Sequence, residues 1–281
     1  MNNNFSGYFP TWCPGCGNFG IWGALKNACQ NQKIPPVNLA VVYGVGCSGN
    51  MNDFFTANNF HSLHGRSVPT AVGIKIANHK LSVVVIAGDG DCYGEGGNHL
   101  IHAARGNHDI TVIVHDNRVY GLTTGQVAPT ALKGFKSKST PAGIIEVPLN
   151  PIALALTQGA TYIAQGFAGE VSHLTGLIEA AIRHEGFSLV NIFQPCVTFN
   201  PLTTYDWYRQ RVYKLDGENH DPGNFQKAME KALETEEKLP IGIVYQVEKP
   251  TYTDNLPQLQ KGVLAEADLT ADLEKYIEEF V

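Results

Sequence analysis

Four of the six cysteines in the chain have a spacing that could bind a metal ion or a metal cluster. Cys13 and Cys16 form a C-x-x-C pair in the stretch TWCPGCGNFG, whereas Cys47 and Cys196 stand alone. A C-x-x-C pair by itself is compatible with a zinc site, a redox-active dithiol, a disulfide or an iron–sulfur site. In a reducing cytosol, metal binding or core packing explains six cysteines better than a disulfide framework does.

A second group suited to chemistry is the G-D-G tripeptide at residues 88–90, together with Asn117 further along the chain. Glycines on both sides of Asp89 let the backbone approach a phosphate closely, and the Asp89 carboxylate is a hard oxygen ligand suited to Mg²⁺. The amide oxygen of Asn117 could be a second, uncharged ligand, which leaves the ion able to bind a diphosphate. The pattern therefore predicts a magnesium and diphosphate site.

Five short, β-branched apolar runs predict the strands that would position these residues. They show little alternation, which is typical of strands covered on both faces. The runs occupy residues 37–44, 81–88, 109–116, 161–167 and 187–194. Helix-like stretches precede the first, second, third and fifth runs, at residues 19–32, 68–79, 96–107 and 170–186. This alternation predicts an α/β fold with a doubly wound, mostly parallel sheet and right-handed crossovers.

The residues suited to chemistry follow the predicted strands directly. Cys47 follows the first strand, Asp89 the second, Asn117 the third and Cys196 the fifth. Ligands of open α/β sheets bind at the carboxyl ends of the strands. We therefore expect these four residues to lie along one edge of the sheet.

Length and composition indicate a globular chain with a large core. The chain has 281 residues, of which 43% are hydrophobic and 16% are charged. The low charged fraction suggests that part of the surface is buried against another protein chain. We expect a main domain over residues 1–195, and a C-terminal extension over 196–281 that packs on this domain or on a partner. The extension includes a charged helix at residues 224–238.

Charge and hydropathy argue against two classes of partner. A net charge of -6 and the absence of a Lys/Arg-rich run disfavour nucleic acid. The N-terminus lacks the basic residues and apolar core of a signal peptide, and the longest apolar run, LSVVVIAG, is too short to cross a bilayer. We therefore expect no membrane partner and a cytoplasmic location.

The G-D-G tripeptide with a later asparagine resembles the motif of thiamine diphosphate (ThDP) enzymes. The resemblance implies that Asp89, Asn117 and the backbone carbonyl of Val119 hold the Mg²⁺ that carries the diphosphate. It implies cofactor contacts from a larger set of residues, which is Cys47, Ser48, His64, Gly88, Asp89, Gly90, Asp91, Asn117, Val119, Gly121, Leu122 and Thr123. His64, in LHGR, is the residue that the resemblance suggests as catalytic, either by contacting the diphosphate or by handling a proton.

The cysteines narrow the resemblance to one branch, the β subunits of 2-oxoacid:ferredoxin oxidoreductases. The stretches that carry it include WCPGCG, GVGCSG, HSLHGRSVP, KSKSTPAG and PCVTFNPLTTYDWYRQRVY, and it spans about residues 10–215. In that family four thiolates bind a [4Fe–4S] cluster, and here they correspond to Cys13, Cys16, Cys47 and Cys196. The ligand types alone suit zinc as well, but one close pair with two solitary cysteines is unlike most structural zinc sites.

The resemblance implies a reaction and a set of partners. A 2-oxoacid would be oxidatively decarboxylated with coenzyme A to acyl-CoA and CO₂, and the electrons would pass through the cluster to ferredoxin. The glutamate that activates the ThDP aminopyrimidine has no counterpart here, because neither Glu95 nor Glu146 has the expected context. We therefore expect an α subunit to supply it.

The sequence leaves alternatives open for both the substrate and the activity. Relatives often read GCSGK and YGLTKGQ, whereas this chain has Asn50 and Thr124 at those two lysine positions. The loss of cations weakens the case for a second substrate carboxylate, so pyruvate, 2-oxoglutarate and branched-chain 2-oxoacids all stay open. The other interpretations are a non-oxidative ThDP decarboxylase or synthase subunit, and a zinc-stabilised subunit without catalysis.

Overall fold

The computed structural model describes residues 5–235, 237–268, 270 and 273–278. Within these residues an eight-stranded sheet and a separate two-stranded hairpin are formed. The strands are β1 (Leu39–Tyr43), β2 (Asn58–His61), β3 (Ser82–Gly88), β4 (Thr111–Asp116), β5 (Val119–Tyr120), β6 (Gln126–Val127), β7 (Tyr162–Phe167), β8 (Ser188–Phe193), β9 (Val212–Lys214) and β10 (Leu239–Gln246).

The main sheet is almost entirely parallel. Its spatial order is β2-β1-β3-β4-β8-β7-β10-β9, and only the β10–β7 pair is antiparallel. The five predicted strands correspond to β1, β3, β4, β7 and β8, so the predicted doubly wound, mostly parallel fold is confirmed. Between β1 and β3, and again between β3 and β4, the chain crosses over through a helix, as parallel pairing requires.

Helices cover both faces of the sheet. They are α1 (Asn18–Asn31), α2 (Ser67–Ala77), α3 (Gly97–Arg105), α4 (Pro151–Thr157), α5 (Val171–Arg183), α6 (Tyr205–Arg209), α7 (Phe225–Ala232) and α8 (Leu273–Ile277). Buried side chains of α1 and α5 pack on one face, and those of α2, α3, α4 and α7 pack on the other.

Strand β3 shows why the predicted runs lack an apolar–polar alternation. Val84 and Ile86 belong to the core under α1 and α5, whereas Val83 and Val85 belong to the core on the opposite face. Successive side chains of a strand point to opposite faces, so a strand covered on both faces must be apolar at every position.

The C-terminal part extends the same sheet. From residue 196 onward the chain adds α6, β9, α7 and β10, and β10 pairs with β7 of the main domain. The charged helix expected at residues 224–238 forms α7 but ends at Ala232, and position 236 lies outside the described residues. Asn107 also holds this part in place, because its side-chain amide donates to the carbonyls of Lys249 and Pro250.

None of the helices in the described ranges has the length and apolar character needed to span a membrane.

Candidate active site

One cavity lies at the carboxyl ends of β1, β3 and β4, where the sequence predicted a site. All twelve residues predicted to contact the cofactor line it, namely Cys47, Ser48, His64, Gly88, Asp89, Gly90, Asp91, Asn117, Val119, Gly121, Leu122 and Thr123. Val45, Gly46 and Tyr120 complete the lining and were not predicted. Asn50 and Thr124 are exposed and do not belong to the lining.

Asp89 lies directly after β3 and is only 2% exposed. Its Oδ2 accepts hydrogen bonds from the backbone N–H of Arg118 at 2.8 Å and from the hydroxyl of Thr130 at 2.5 Å. Burial, and then the neighbouring carboxylate of Asp116, raise the pKa of Asp89. Two neighbouring carboxyl groups in a buried site disfavour the state in which both are ionised. A divalent cation would compensate for their charge.

Asp116 lies beside Asp89 but outside the cavity lining, and the sequence analysis did not anticipate this neighbour of the site. It ends β4, and its Oδ2 accepts a hydrogen bond from the side chain of Asn191 on β8, while its Oδ1 has no partner among the described residues. In the sequence Asp116 is the last residue of the run VIVHD, so the pattern predicts only the end of a strand there. Only the pairing of β3 with β4 brings it beside Asp89.

The loop after β4 is shaped by two residues with positive φ. Arg118 has φ 64° and Thr124 has φ 75°, and both are non-glycine residues in the left-handed region. The Asn117 carbonyl accepts from the Asn200 side chain, and the Asn117 Oδ1 accepts from the backbone N–H of Val119. Strained backbone of this kind is frequent where a chain must direct groups at a ligand.

Asp91 and His64 form a hydrogen-bonded pair at the wall of the cavity. Nδ1 of His64 lies 2.6 Å from Oδ1 of Asp91, which also accepts from the backbone N–H of Gly65 at 2.8 Å. The Asp91 side chain is 1% exposed, whereas that of His64 is 42% exposed. The carboxylate can only accept, so Nδ1 carries the proton and Nε2 of neutral His64 is an acceptor.

The cavity wall has the features that a diphosphate needs. The hydroxyl of Ser48 is buried and finds no hydrogen-bond partner within the described chain, so it is available to a polar ligand. Gly90 lies against the ring of Tyr120, and a Cβ there would be 2.4 Å from the ring. Any other residue at position 90 would displace Tyr120 from the cavity wall.

The residues predicted for Mg²⁺ lie together at this wall, since Asp89, Asn117 and Val119 all line the cavity. Among the described residues, no three His, Cys, Asp or Glu side chains are grouped so as to hold a metal ion. The predicted magnesium set has only one such side chain, because its other two ligands are an amide and a backbone carbonyl.

The four predicted cluster cysteines lie in one region beside the cavity, although they are not grouped so as to hold a single metal ion. Cys47 lines the cavity itself, and a Cβ at Gly121 would lie 3.6 Å from the sulfurs of both Cys47 and Cys196. The pKa of Cys16 is raised to about 12, mainly by burial and to a smaller extent by the nearby thiols of Cys196, Cys47 and Cys13. Thiols near one another are the donor type that a bound metal cluster requires.

The other two cysteines lie elsewhere. Cys29 is fully buried in α1, and Cys92 is buried in the core on the opposite face of the sheet, under α2 and α3. Both pack with apolar side chains and take no part in the four-cysteine group.

Comparisons with known families agree with this geometry. Residues 43–192 match the model described as the thiamine pyrophosphate enzyme, C-terminal TPP binding domain. Residues 196–261 match the model for the C-terminal part of the β chain of pyruvate ferredoxin oxidoreductase. The chain therefore contains a ThDP-binding domain that includes the loops around the cavity.

Named relatives match this chain in sequence over nearly its whole length. The 2-oxoacid:ferredoxin oxidoreductase subunit β of Sulfolobus sp is 44% identical over 90% of this chain and 87% of its own length. The corresponding protein of Saccharolobus solfataricus is 42% identical and covers 95% of each chain.

A solved structure is similar over almost the full length. It is that of 2-oxoglutarate:ferredoxin oxidoreductase from Magnetococcus marinus, with 2-oxoglutarate, coenzyme A and succinyl-CoA bound. It is 39% identical, with a TM-score of 0.92 over 99% of this chain and 96% of that chain. On these grounds the chain belongs to the family of 2-oxoacid:ferredoxin oxidoreductase β subunits.

Proposed function

We propose that this protein, as the β subunit, performs ThDP-dependent oxidative decarboxylation of a 2-oxoacid, with coenzyme A as acyl acceptor and ferredoxin as electron acceptor. One observation carries the proposal most directly. Cys47, a ligand in the predicted [4Fe–4S] set, lines the same cavity as Asp89 and Asn117, the predicted magnesium ligands. Electrons released at the cofactor would therefore enter a cluster at the wall of the same cavity.

Asp89, Asn117 and the carbonyl of Val119 would hold Mg²⁺, and the hydroxyl of Ser48 would contact the diphosphate. When bound, ThDP supplies the carbon nucleophile and the electron sink that decarboxylation requires. The hydrogen bonds that Arg118 and Thr130 donate to Oδ2 of Asp89 fix the orientation of the carboxylate and leave Oδ1 for the metal. The carboxylate is thus oriented by the protein itself.

His64 would be the proton carrier of the site. The hydrogen bond from Nδ1 to Asp91 fixes its tautomer, so the exposed Nε2 can accept a proton. The buried carboxylate of Asp91 then stabilises the imidazolium that results. A proton acceptor with a fixed tautomer is more effective than a freely rotating one.

Cys13, Cys16, Cys47 and Cys196 would bind the [4Fe–4S] cluster. Support comes from the closeness of the four thiols and from the cavity position of Cys47. A zinc-stabilised subunit would contain zinc instead of iron and sulfide. A non-oxidative decarboxylase would need no cluster at all.

An α subunit would complete the site. The acidic side chains among the lining residues are Asp89 and Asp91, and no glutamate of the described chain joins them. Leu122, which lines the cavity, is 51% exposed, and Leu63 beside His64 is 78% exposed. A partner that covers these side chains and supplies the activating glutamate fits both observations.

The substrate would be a 2-oxoacid, and the enzyme would act in the cytoplasm. The similar Magnetococcus marinus enzyme binds 2-oxoglutarate and coenzyme A. This chain has no lysine at positions 50 and 124, so these two positions provide no cation for a second substrate carboxylate.

The test is an Asp89→Asn variant of the αβ complex, with Asp206→Asn, at an exposed position of helix α6, as the matched control. The variant should lose Mg²⁺-dependent ThDP binding in calorimetry, because it lacks the anionic ligand, while iron and sulfide contents stay those of the wild type. The control should match the wild type in both measurements. Unchanged ThDP affinity in Asp89→Asn would contradict the assignment of the site.

A further inference from the structure

Gln194 directs its side-chain amide at one of the four cysteine sulfurs. Its Nε2 lies 3.4 Å from Sγ of Cys16 and 3.2 Å from the carbonyl oxygen of Pro195. Both neighbours are acceptors when Cys16 is a thiolate, so the amide nitrogen and not the amide oxygen must point at them. Gln194 immediately follows β8 and is only 1% exposed.

The surroundings leave the Gln194 side chain little freedom. Its Cγ lies against Gly17, where a Cβ would approach it to 2.7 Å. The backbone N–H of Gln194 donates to the carbonyl of Asp116, and the N–H of Gly17 donates to the carbonyl of Pro195. The amide is thus held between the end of β8 and the loop that carries Cys16.

This donor is a side-chain amide and not a backbone N–H group. Its contribution can therefore be removed by substitution without rebuilding the loop.

We infer that Gln194 raises the reduction potential of the cluster by donating a hydrogen bond to the Cys16 thiolate. This inference rests on the proposed function, because it requires a [4Fe–4S] cluster on the four cysteines. Reduction adds negative charge to the cluster and its sulfurs, and a donor to a sulfur stabilises the more negative state. Without the donor, the reduced cluster would be less stable and its potential lower.

The test compares Gln194→Leu and Gln194→Met with the wild type in the αβ complex, by anaerobic redox titration followed by EPR. Both side chains have similar volume and no donor. Gln165→Leu is the matched control, since Gln165 is a buried glutamine on β7 whose amide donates to the Pro240 carbonyl. We expect both Gln194 variants to shift the one-electron equilibrium about tenfold toward the oxidised cluster, which corresponds to a midpoint lower by about 59 mV. The control should titrate as the wild type does.

Three other outcomes have distinct meanings. Midpoints equal to that of the wild type in both Gln194 variants would overturn the inference and leave the proposed function intact. Loss of iron and sulfide from both variants would also overturn it, because the amide would then be needed to assemble the cluster. Absence of a [4Fe–4S] signal in the reduced wild type would instead overturn the proposed function, and with it this inference.

Discussion

At the scale of single residues, the hydrogen-bonded pair of His64 and Asp91 has the clearest kinetic consequence. Asp91→Asn keeps the size of the side chain but removes the charge that stabilises protonated His64. We expect kcat to fall about 10²-fold, the usual contribution of a general acid or base. Steady-state kinetics of the αβ complex measures this loss, and the iron content should stay that of the wild type.

A double-mutant cycle separates this coupling from a general loss of stability. If Asp91 acts through His64, then Asp91→Asn should cost little in a His64→Gln background, so the two effects will not add. Fully additive losses would show that Asp91 acts independently of His64.

Cys196→Ser tests the ligand set at the same scale. Serine is a poor ligand for iron, so the variant should lose iron and sulfide while ThDP still binds. The control is Cys29→Ala, in which a core thiol of α1 is removed and metal content should not change. Unchanged iron and sulfide in Cys196→Ser would remove this residue from the ligand set, and zinc in the wild type would favour a structural role for the chain.

The site residues differ in how far the sequence could predict them. Asp89, Asn117 and Cys47 each follow an apolar run, so strand order and a shared edge were enough to bring them together. Asp116 and Gln194 could not be assigned a role this way, because Asp116 ends an ordinary strand and Gln194 directly follows another. Their importance depends on which side chain lies opposite, and only the paired strands and packed loops determine that.

At the scale of elements, the end of α5 is tied to its neighbours through a buried histidine. Nε2 of His184 lies 2.8 Å from the hydroxyl of Thr161, which donates to Oδ1 of Asn107. Burial lowers the pKa of His184 below its ordinary value, although the nearby carboxylates of Asp109, Glu248 and Glu185 oppose the shift. The folded state therefore favours neutral His184.

This lowered pKa predicts how stability depends on pH. Because the unfolded chain binds the His184 proton more readily, the stabilisation is present above pH ~6.5 and is lost as pH falls below it. His184→Gln keeps a donor toward Thr161 but cannot titrate. Between pH 7.5 and 5.5, its unfolding free energy in urea should fall less steeply than that of the wild type, by up to about 1.4 kcal/mol per pH unit. Identical slopes would contradict the prediction.

Strands β2 and β10 of the main sheet were not predicted from the sequence, for different reasons. Strand β2, with the sequence NNFH, is exposed at every position and pairs only at the edge of β1. The side chain of Asn58 fixes the start of β2, because it donates hydrogen bonds to the carbonyls of Val37 and Leu39. Strand β10 has an apolar sequence, but its antiparallel pairing with β7 depends on the return path of the C-terminal part.

At the scale of the whole molecule, we propose that the chain holds one half of a catalytic site. It would provide a diphosphate-binding wall and a proton carrier at one cavity, whose lining includes Cys47 of the four thiols, and it exposes apolar side chains beside that cavity. It provides no glutamate in the lining of that cavity among the described residues. A cofactor held at one end gains little from preorganisation, so we expect the isolated chain to bind Mg·ThDP weakly.

The most direct test of this account is the reduction of a viologen dye by the purified β chain and by the chain co-expressed with its α subunit. The account predicts that the complex reduces the dye only when both a 2-oxoacid and coenzyme A are supplied, and that the β chain alone does not reduce it. Full CoA-dependent dye reduction by the β chain alone would contradict the account, because the activating glutamate would then have to lie within this chain.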